Sequence, residues 1–386
     1  WSLSAQESQS GIVGVAFSPD GTRVMAGDAG ITAVKVWDLG PTGDAEWANL
    51  PAPGYPGAEF MPDGRRVMTA SWRGVVYGTD PATVTIWDPE TGRGLRTIGP
   101  PTDFFRFLSF DVSPDGSTVA LGGGSMPGDF GGSSAVRAWD TSTGEELWRT
   151  GDVRDVQEVT FSPDGEYVAT ADWAGIAKII DRSGQVVRVL SGPDDYNSSD
   201  VAFSSDGNLV ATAEYAGSLH RVRVWDWRRR EVLLTIGAGS SLPRVDFDPS
   251  GPRVVVSGKD GLAEIWDVQS GERLAVLAGP PGGVNDLVYS ADGSRIATAS
   301  EDGLVRLFDA ATGAQQLSLR GSGCAVEGVA FSPDGTKLAS SSECDGVRIW
   351  ALDIDDLLSI AQREAGRTIT DAECRQYLHM DQCPGA

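Results

Sequence analysis

The chain has 386 residues, 40% of them hydrophobic, enough for a large core, and this excludes an intrinsically disordered protein. Lys and Arg number 31 against 54 Asp and Glu, a net charge of −23 that repels nucleic acid and anionic membranes. Glycine (49) and proline (21) are abundant without a fibrous period, and no apolar stretch approaches the ~18 residues of a membrane helix.

The first predicted element is Trp1-Ser2-Leu3-Ser4, a short strand standing alone. The chain opens on Trp1 rather than Met, as a piece of a longer polypeptide would, so targeting is not readable from this end. From there a unit of about forty residues repeats. Its landmark is the turn Phe17-Ser18-Pro19-Asp20-Gly21, which returns with variations at residues 60–64, 112–116, 161–165, 203–207, 247–251, 289–293 and 331–335. Proline presets one dihedral, aspartate bonds its own backbone, and glycine accepts positive φ. Two residues before each landmark sits an apolar residue: Val15, Ala58, Phe110, Val159, Val201, Val245, Leu287 and Val329. Three residues after each final landmark residue sits an aliphatic one: Val24, Val67, Val119, Val168, Val210, Val254, Ile296 and Leu338. Apolar residues at period two on both sides of a tight turn predict a half-buried β-hairpin.

A third strand ends on a second landmark: Trp37-Asp38, Trp87-Asp88, Trp139-Asp140, Ile180-Asp181, Trp225-Asp226, Trp266-Asp267, Phe308-Asp309 and Trp350-Ala351. Most are followed by a turn and a short fourth strand. These landmarks, recurring in phase over residues 1–351, resemble the WD40-repeat family. The resemblance implies an all-β, eight-bladed WD40 β-propeller, with seven blades, the commoner number in that family, as the alternative. Trp1-Ser2-Leu3-Ser4 then supplies the outer strand of the last blade, which otherwise leaves an open edge. One departure stands out. The family's Gly-His pair, whose histidine joins a Ser/Thr–Asp–Trp network, has no counterpart, since only His220 and His379 exist. Blade stability is therefore expected to lean on apolar contacts.

Residues 352–386 form a separate tail, predicted helical with a short C-terminal pair of helices. Ile354, Leu357, Leu358 and Ala361 make one stripe, and Thr370 with Glu373 caps a second helix. The ending Glu373-Cys374-Arg375-Gln376-Tyr377-Leu378-His379 with Cys383-Pro384 resembles tails that follow WD repeats in large actinobacterial signalling proteins. There the repeats form a sensor region beside an NTPase or kinase. That resemblance implies a cytoplasmic, non-catalytic scaffold or sensor domain of a bacterial signalling protein. It would be a monomeric propeller that binds a protein partner or another domain of the same polypeptide, with no cofactor, no nucleic acid and no insertion into a membrane.

The longest connections between second and third strands, at 71–83 and 122–134, belong to the top face in that family. Trp72, Arg73, Tyr77, Phe104, Phe105, Arg106, Met126, Phe130 and Trp173 are the candidate top-face binding residues, with Tyr215 also assigned to these loops. Tryptophan, tyrosine and arginine dominate desolvated interface centres, although such residues also tuck under their own loops.

Catalytic constellations are sparse: no phosphate-binding Gly-x-x-x-x-Gly-Lys-Ser/Thr loop exists, and two histidines with four cysteines fit no zinc spacing. The alternative function is a propeller enzyme. A calcium-dependent hydrolase or lactonase would use Glu158, Asp200 and Asp286, placed near the central channel three residues before their landmarks. A quinoprotein dehydrogenase-like protein would use the docking motif that Ala138-x-Asp140, Gly144 and Trp148 resemble. Cys324 with Cys344, and Cys374 with Cys383, are candidate disulfides that would indicate an extracytoplasmic compartment.

Overall fold

The computed structural model describes residues 2–3, 12–28, 33–39, 46–51, 57–71, 83–99, 106–124, 135–150, 156–172, 175–190, 197–216, 219–238, 244–257, 262–277, 283–320, 324–342 and 346–352. Within them, thirty-two strands from β1 (Ser2–Leu3) to β32 (Gly346–Ala351) form eight four-stranded antiparallel sheets. Seven sheets take four consecutive strands each. The eighth takes β30 (Val326–Phe331), β31 (Lys337–Ser342) and β32, and finishes with β1. Ser2 pairs with Arg348 and Leu3 with Val347, so the start of the chain completes the last blade. The ring has eight blades, and the seven-bladed alternative falls away. The predicted helical tail beyond residue 352 lies outside the described residues.

The innermost strands are β2 (Ile12–Phe17), β6 (Gly57–Phe60), β10 (Arg106–Val112), β14 (Val156–Phe161), β18 (Asn197–Phe203), β22 (Val245–Phe247), β26 (Val284–Tyr289) and β30. Each neighbours the innermost strand on either side, and β30 neighbours β2, which closes the circle. Apolar cores fill the spaces between blades. At the seam, Val24, Ala26 and Trp37 of blade 1 meet Ala339, Val347 and Ile349 of blade 8. All eight aliphatic residues that follow the landmark turns are buried.

The turn works as its residues suggest. Ser18 Oγ donates to Asp20 Oδ1 at 2.6 Å and accepts from Arg23 N at 3.0 Å, while Gly21 takes φ +69°. The proline also reaches the neighbouring blade. A Cβ placed on Gly64, Gly116, Gly165 or Gly207 would lie 3.3–3.6 Å from Cδ of Pro19, Pro62, Pro114 or Pro163 of the preceding blade. At the seam, Gly21 faces Pro333 Cδ in the same way at 3.4 Å.

Part of the polar network survives without the histidine, alongside the packing on which the blades were expected to lean. The indole N–H groups of Trp87, Trp225 and Trp350 donate to Thr69 Oγ1, Thr212 Oγ1 and Ser340 Oγ at 2.8–3.0 Å. In blade 5, Thr212 Oγ1 donates in turn to Glu214 Oε1 at 2.9 Å. Glu214 also accepts from Arg221 Nε at 2.8 Å and Arg223 Nη2 at 2.6 Å. A buried carboxylate needs such partners to remain folded in place.

Candidate functional site: the central channel

Side chains alternate along a strand, so the residues one and three before each landmark aromatic share a side. On the innermost strands that side faces the channel. In blades 2 to 7 it carries Glu59, Asp111, Glu158, Asp200, Asp246 and Asp286, whereas blades 1 and 8 place Gly14 and Gly328 at the offset of three. Interactions that skip a blade establish the common direction. Asp200 of blade 5 acts on Asp286 of blade 7, Glu59 of blade 2 feels Glu158 of blade 4, and Arg244 of blade 6 attracts Glu158.

These carboxylates tie each blade to the next. An innermost strand has one edge without a strand partner, and its N–H groups need acceptors. Asp111 Oδ2 accepts from Phe161 N at 2.6 Å, Asp246 Oδ2 from Tyr289 N at 2.9 Å, and Asp286 Oδ2 from Val329 N at 3.0 Å. Asp200 accepts from Val245 N. Between blades 3 and 4, Ser109 Oγ accepts from Val159 N at 3.1 Å and donates to Glu158 Oε1 at 2.8 Å.

These groups are half-buried, and the partial loss of water disfavours their charge. Burial, reinforced by Asp200, pushes Glu158 up to about 8. Burial likewise raises Asp246 to about 7 and Asp286 to about 6. Glu59 is raised well above the carboxylate range by burial and by Asp111, with which it shares a hydrogen bond. Asp111 and Asp200 are raised by burial too. The channel therefore holds protons near neutral pH.

Glu158, Asp200 and Asp286 lie on this side of their strands, but they do not gather into a cage. Among the described residues no group of three or more His, Cys, Asp or Glu side chains is placed to hold a metal ion. The offset of three overlooks Glu59, Asp111 and Asp246, which sit at the offset of one.

Among the top-face candidates, Trp72, Arg73, Tyr77, Phe104, Phe105, Met126, Phe130 and Trp173 lie outside the described residues. Arg106 is not a loop residue: it opens β10, its backbone paired with Gly124, because strand pairing extends that far. Tyr215 is likewise a strand residue, opposite His220 with their rings stacked at 6.2 Å. Cys324 is disulfide-bonded. Cys344, Cys374 and Cys383 lie outside the described residues.

The family model described as WD domain, G-beta repeat matches residues 146–181, 184–226, 232–267, 271–309 and 313–351, half of the chain. The chain belongs to the WD40 family. Telomerase protein component 1 of Rattus norvegicus is 26% identical over 279 residues, 71% of this chain and 8% of that protein. A guanine nucleotide-binding protein subunit beta of Oryza sativa subsp. japonica is 26% identical over 200 residues, 48% of each chain. This WD40 chain thus spans less than a tenth of the first relative and about half of the second. Among the solved structures similar to it are two propellers. The computationally designed Ika8 protein has a TM-score of 0.72 at 22% identity, covering 91% of this chain and 99% of its own. The C-terminal WD40 domain of Sif2 has 0.71 at 15% identity, covering 89% and 96%.

Proposed function

We propose that this chain is a non-catalytic protein-binding scaffold, the partner-sensing part of a bacterial signalling protein. The observation that carries the reading is how the channel carboxylates are used. Their oxygens hold backbone N–H groups of the next blade, so their chemistry serves the ring rather than a substrate. Two similar proteins are by name parts of larger assemblies, a G-protein subunit and a telomerase component, which supports an interaction role. Loops carried by a rigid scaffold are where binding specificity is usually built. The partner surface is the top face, with Trp72, Arg73, Tyr77, Phe105, Phe130 and Trp173 as its anchors. The partner is a separate protein or another domain of the same polypeptide, and the propeller works as a monomer without a cofactor. A net charge of −23 disfavours nucleic acid. The disulfide at Cys324 supports the extracytoplasmic alternative over the cytoplasmic one, because such bonds persist in oxidising compartments.

The test is affinity purification of the tagged chain from its native host. The same co-purifying chains should be lost with Trp72→Ala and with Phe105→Ala, retained with Arg65→Ala in the exposed landmark turn of blade 2, and circular dichroism should stay unchanged. Retention by both top-face variants overturns the choice of face. Calcium-dependent turnover of ester or lactone substrates overturns the non-catalytic reading.

A further inference from the structure

The joint between blades 5 and 6 is one of three, with those between blades 6 and 7 and blades 7 and 8, that lack the proline-on-glycine contact. Ser205 stands where blades 1 to 4 have proline, and its Oγ donates to Pro249 O at 3.1 Å across the joint. The blade 6 turn reads Asp248-Pro249-Ser250-Gly251-Pro252, with serine and aspartate exchanged. Ser250 Oγ still donates to Asp248 Oδ1 at 2.7 Å, so the link survives with donor and acceptor swapped. Gly251 N lies 3.4 Å from Asp248 O, against 2.7–2.8 Å at the matching place in the other seven blades, and Gly251 does not take positive φ. Between these two turns lies a groove of about 440 Å³, whose apolar walls are Leu209, Leu233, Phe247, Pro249, Pro252 and Val268.

Beside it lies the densest run of positive charge in the sequence. Arg228, Arg229 and Arg230 form the turn into the outer strand of blade 5 (Glu231–Ala238). Arg230 has φ +61°, the one non-glycine with positive φ among the described residues. Blades 2, 3, 4, 6 and 7 place Gly92, Gly144, Gly184, Gly271 and Gly313 in the same left-handed conformation. A Cβ is penalised there, and a strained residue retained against that penalty points to a use for its side chain. Arg228 joins turn to groove. It stacks 4.2 Å over Trp227 and donates to Gly207 O at 2.9 Å and to Asn208 Oδ1, at the groove wall, at 3.2 Å. Arg229 and Arg230 remain exposed, Arg229 with a loose 3.5 Å pairing to Asp226. Nearby Asp206 is engaged by Ser204 Oγ and Asn208, and Glu231 is exposed alongside.

We propose that the blade 5–6 groove and the Arg228–Arg230 turn form one docking site for a short acidic peptide segment that carries a large apolar side chain. The apolar side chain enters the groove, and the flanking carboxylates pair with Arg229 and Arg230, whose planar guanidinium groups suit bidentate contact. Screening over roughly 8 Å at physiological salt lets this patch act locally despite the acidic remainder. The site shares no residue with the proposed top-face surface and stands or falls separately from it.

The experiment is fluorescence polarisation on the full chain, with a labelled peptide holding one leucine between runs of aspartate. Micromolar binding that weakens with salt is expected, and an alanine in place of the peptide's leucine should cost about tenfold, the value of a buried aliphatic side chain. Arg230→Gly should weaken binding about fivefold to tenfold while raising the melting temperature by about 1–2 °C. These opposite signs separate lost recognition from lost folding. Leu233→Ser should weaken binding without changing its salt dependence. Absence of binding, equal binding of the alanine peptide, or variants that bind like the parent overturns the proposal. So does a single-stranded oligothymidine that binds as tightly and is lost with Arg230→Gly, which would make the patch a nucleic-acid site.

Discussion

Trp148, on the outer strand of blade 3, is pressed against Gly184 in a turn of blade 4: a Cβ at 184 would lie 2.8 Å from Trp148 Cβ. Gly184 also takes φ +83°, so space and conformation both demand glycine. Gly184→Ala is expected to destabilise the chain by about 1–3 kcal/mol through overpacking and strain. Gly92 has φ +65° but nothing within 4 Å of its Cβ position, so Gly92→Ala should cost only the conformational part, about 1 kcal/mol. Urea midpoints of the two variants measure the difference, which belongs to the Trp148 contact. Equal midpoints would remove it.

The channel carboxylates predict an unusual pH dependence. Asp286, Asp246 and Glu158 titrate at about 6, 7 and 8 when folded, against 3.8, 3.8 and 4.5 otherwise. Raised folded values mean that their stabilisation is complete below pH 4, declines from there, and is gone once pH has risen through 6 to 8. The turn aspartates Asp115 and Asp292 behave oppositely. Hydrogen bonds from Ser113 and Ser290 lead the effects that hold them at about 2, so their contribution is lost as pH falls from 4 toward 2. The melting temperature should peak near pH 4 and fall toward pH 8.5, and Glu158→Gln should flatten the alkaline limb. A melting temperature that is level from pH 5 to 8.5 would contradict the buried-carboxyl picture.

Glu214 is the hub of blade 5, its side chain 2% exposed between Arg221 and Arg223. Removing one partner of a buried ion pair strands the other charges, so Glu214→Ala should cost about 3–5 kcal/mol. Thermal or urea unfolding measures it. A loss below about 1 kcal/mol would place the pairing among weak surface contacts.

Blade 8 depends on two paired residues of β1. Deleting residues 1–8 should bare the outer edge of β32, lower the melting temperature and produce aggregates in light scattering. A deletion variant that stays monomeric and equally stable would show that β1 is dispensable.

Blade number and strand order are legible because each landmark is a local statement: turn residues, period-two flanks and a terminal tryptophan recur together. Even the closing strand can be inferred, since the last unit lacks a fourth. Half of the channel ring is legible from the offset of three, which finds Glu158, Asp200 and Asp286. Glu59, Asp111 and Asp246 needed only the alternation that puts the offset of one on the same side. Strand ends are harder. Arg106 and Tyr215 read as loop residues, but cross-strand pairing runs past the turn signals and takes them in. Arg223 stands in the sequence two residues before Trp225, but nothing local announces that Glu214 on the neighbouring strand receives it. The blade 5–6 groove is three-dimensional, arising where a missing proline on one turn meets an exchanged serine and aspartate on the next.

The contact between Pro333 and Gly21 has a consequence for how the chain could be rewired. It fastens the last blade to the first with the same wedge that fastens four of the interior pairs, so the seam between the chain ends is not mechanically distinct. A circular permutant opened at 191–196, with its old ends joined, would meet the same wedges at every one of those joints. It would also place β1 after β32 in one continuous chain, with residues 352–386 between them.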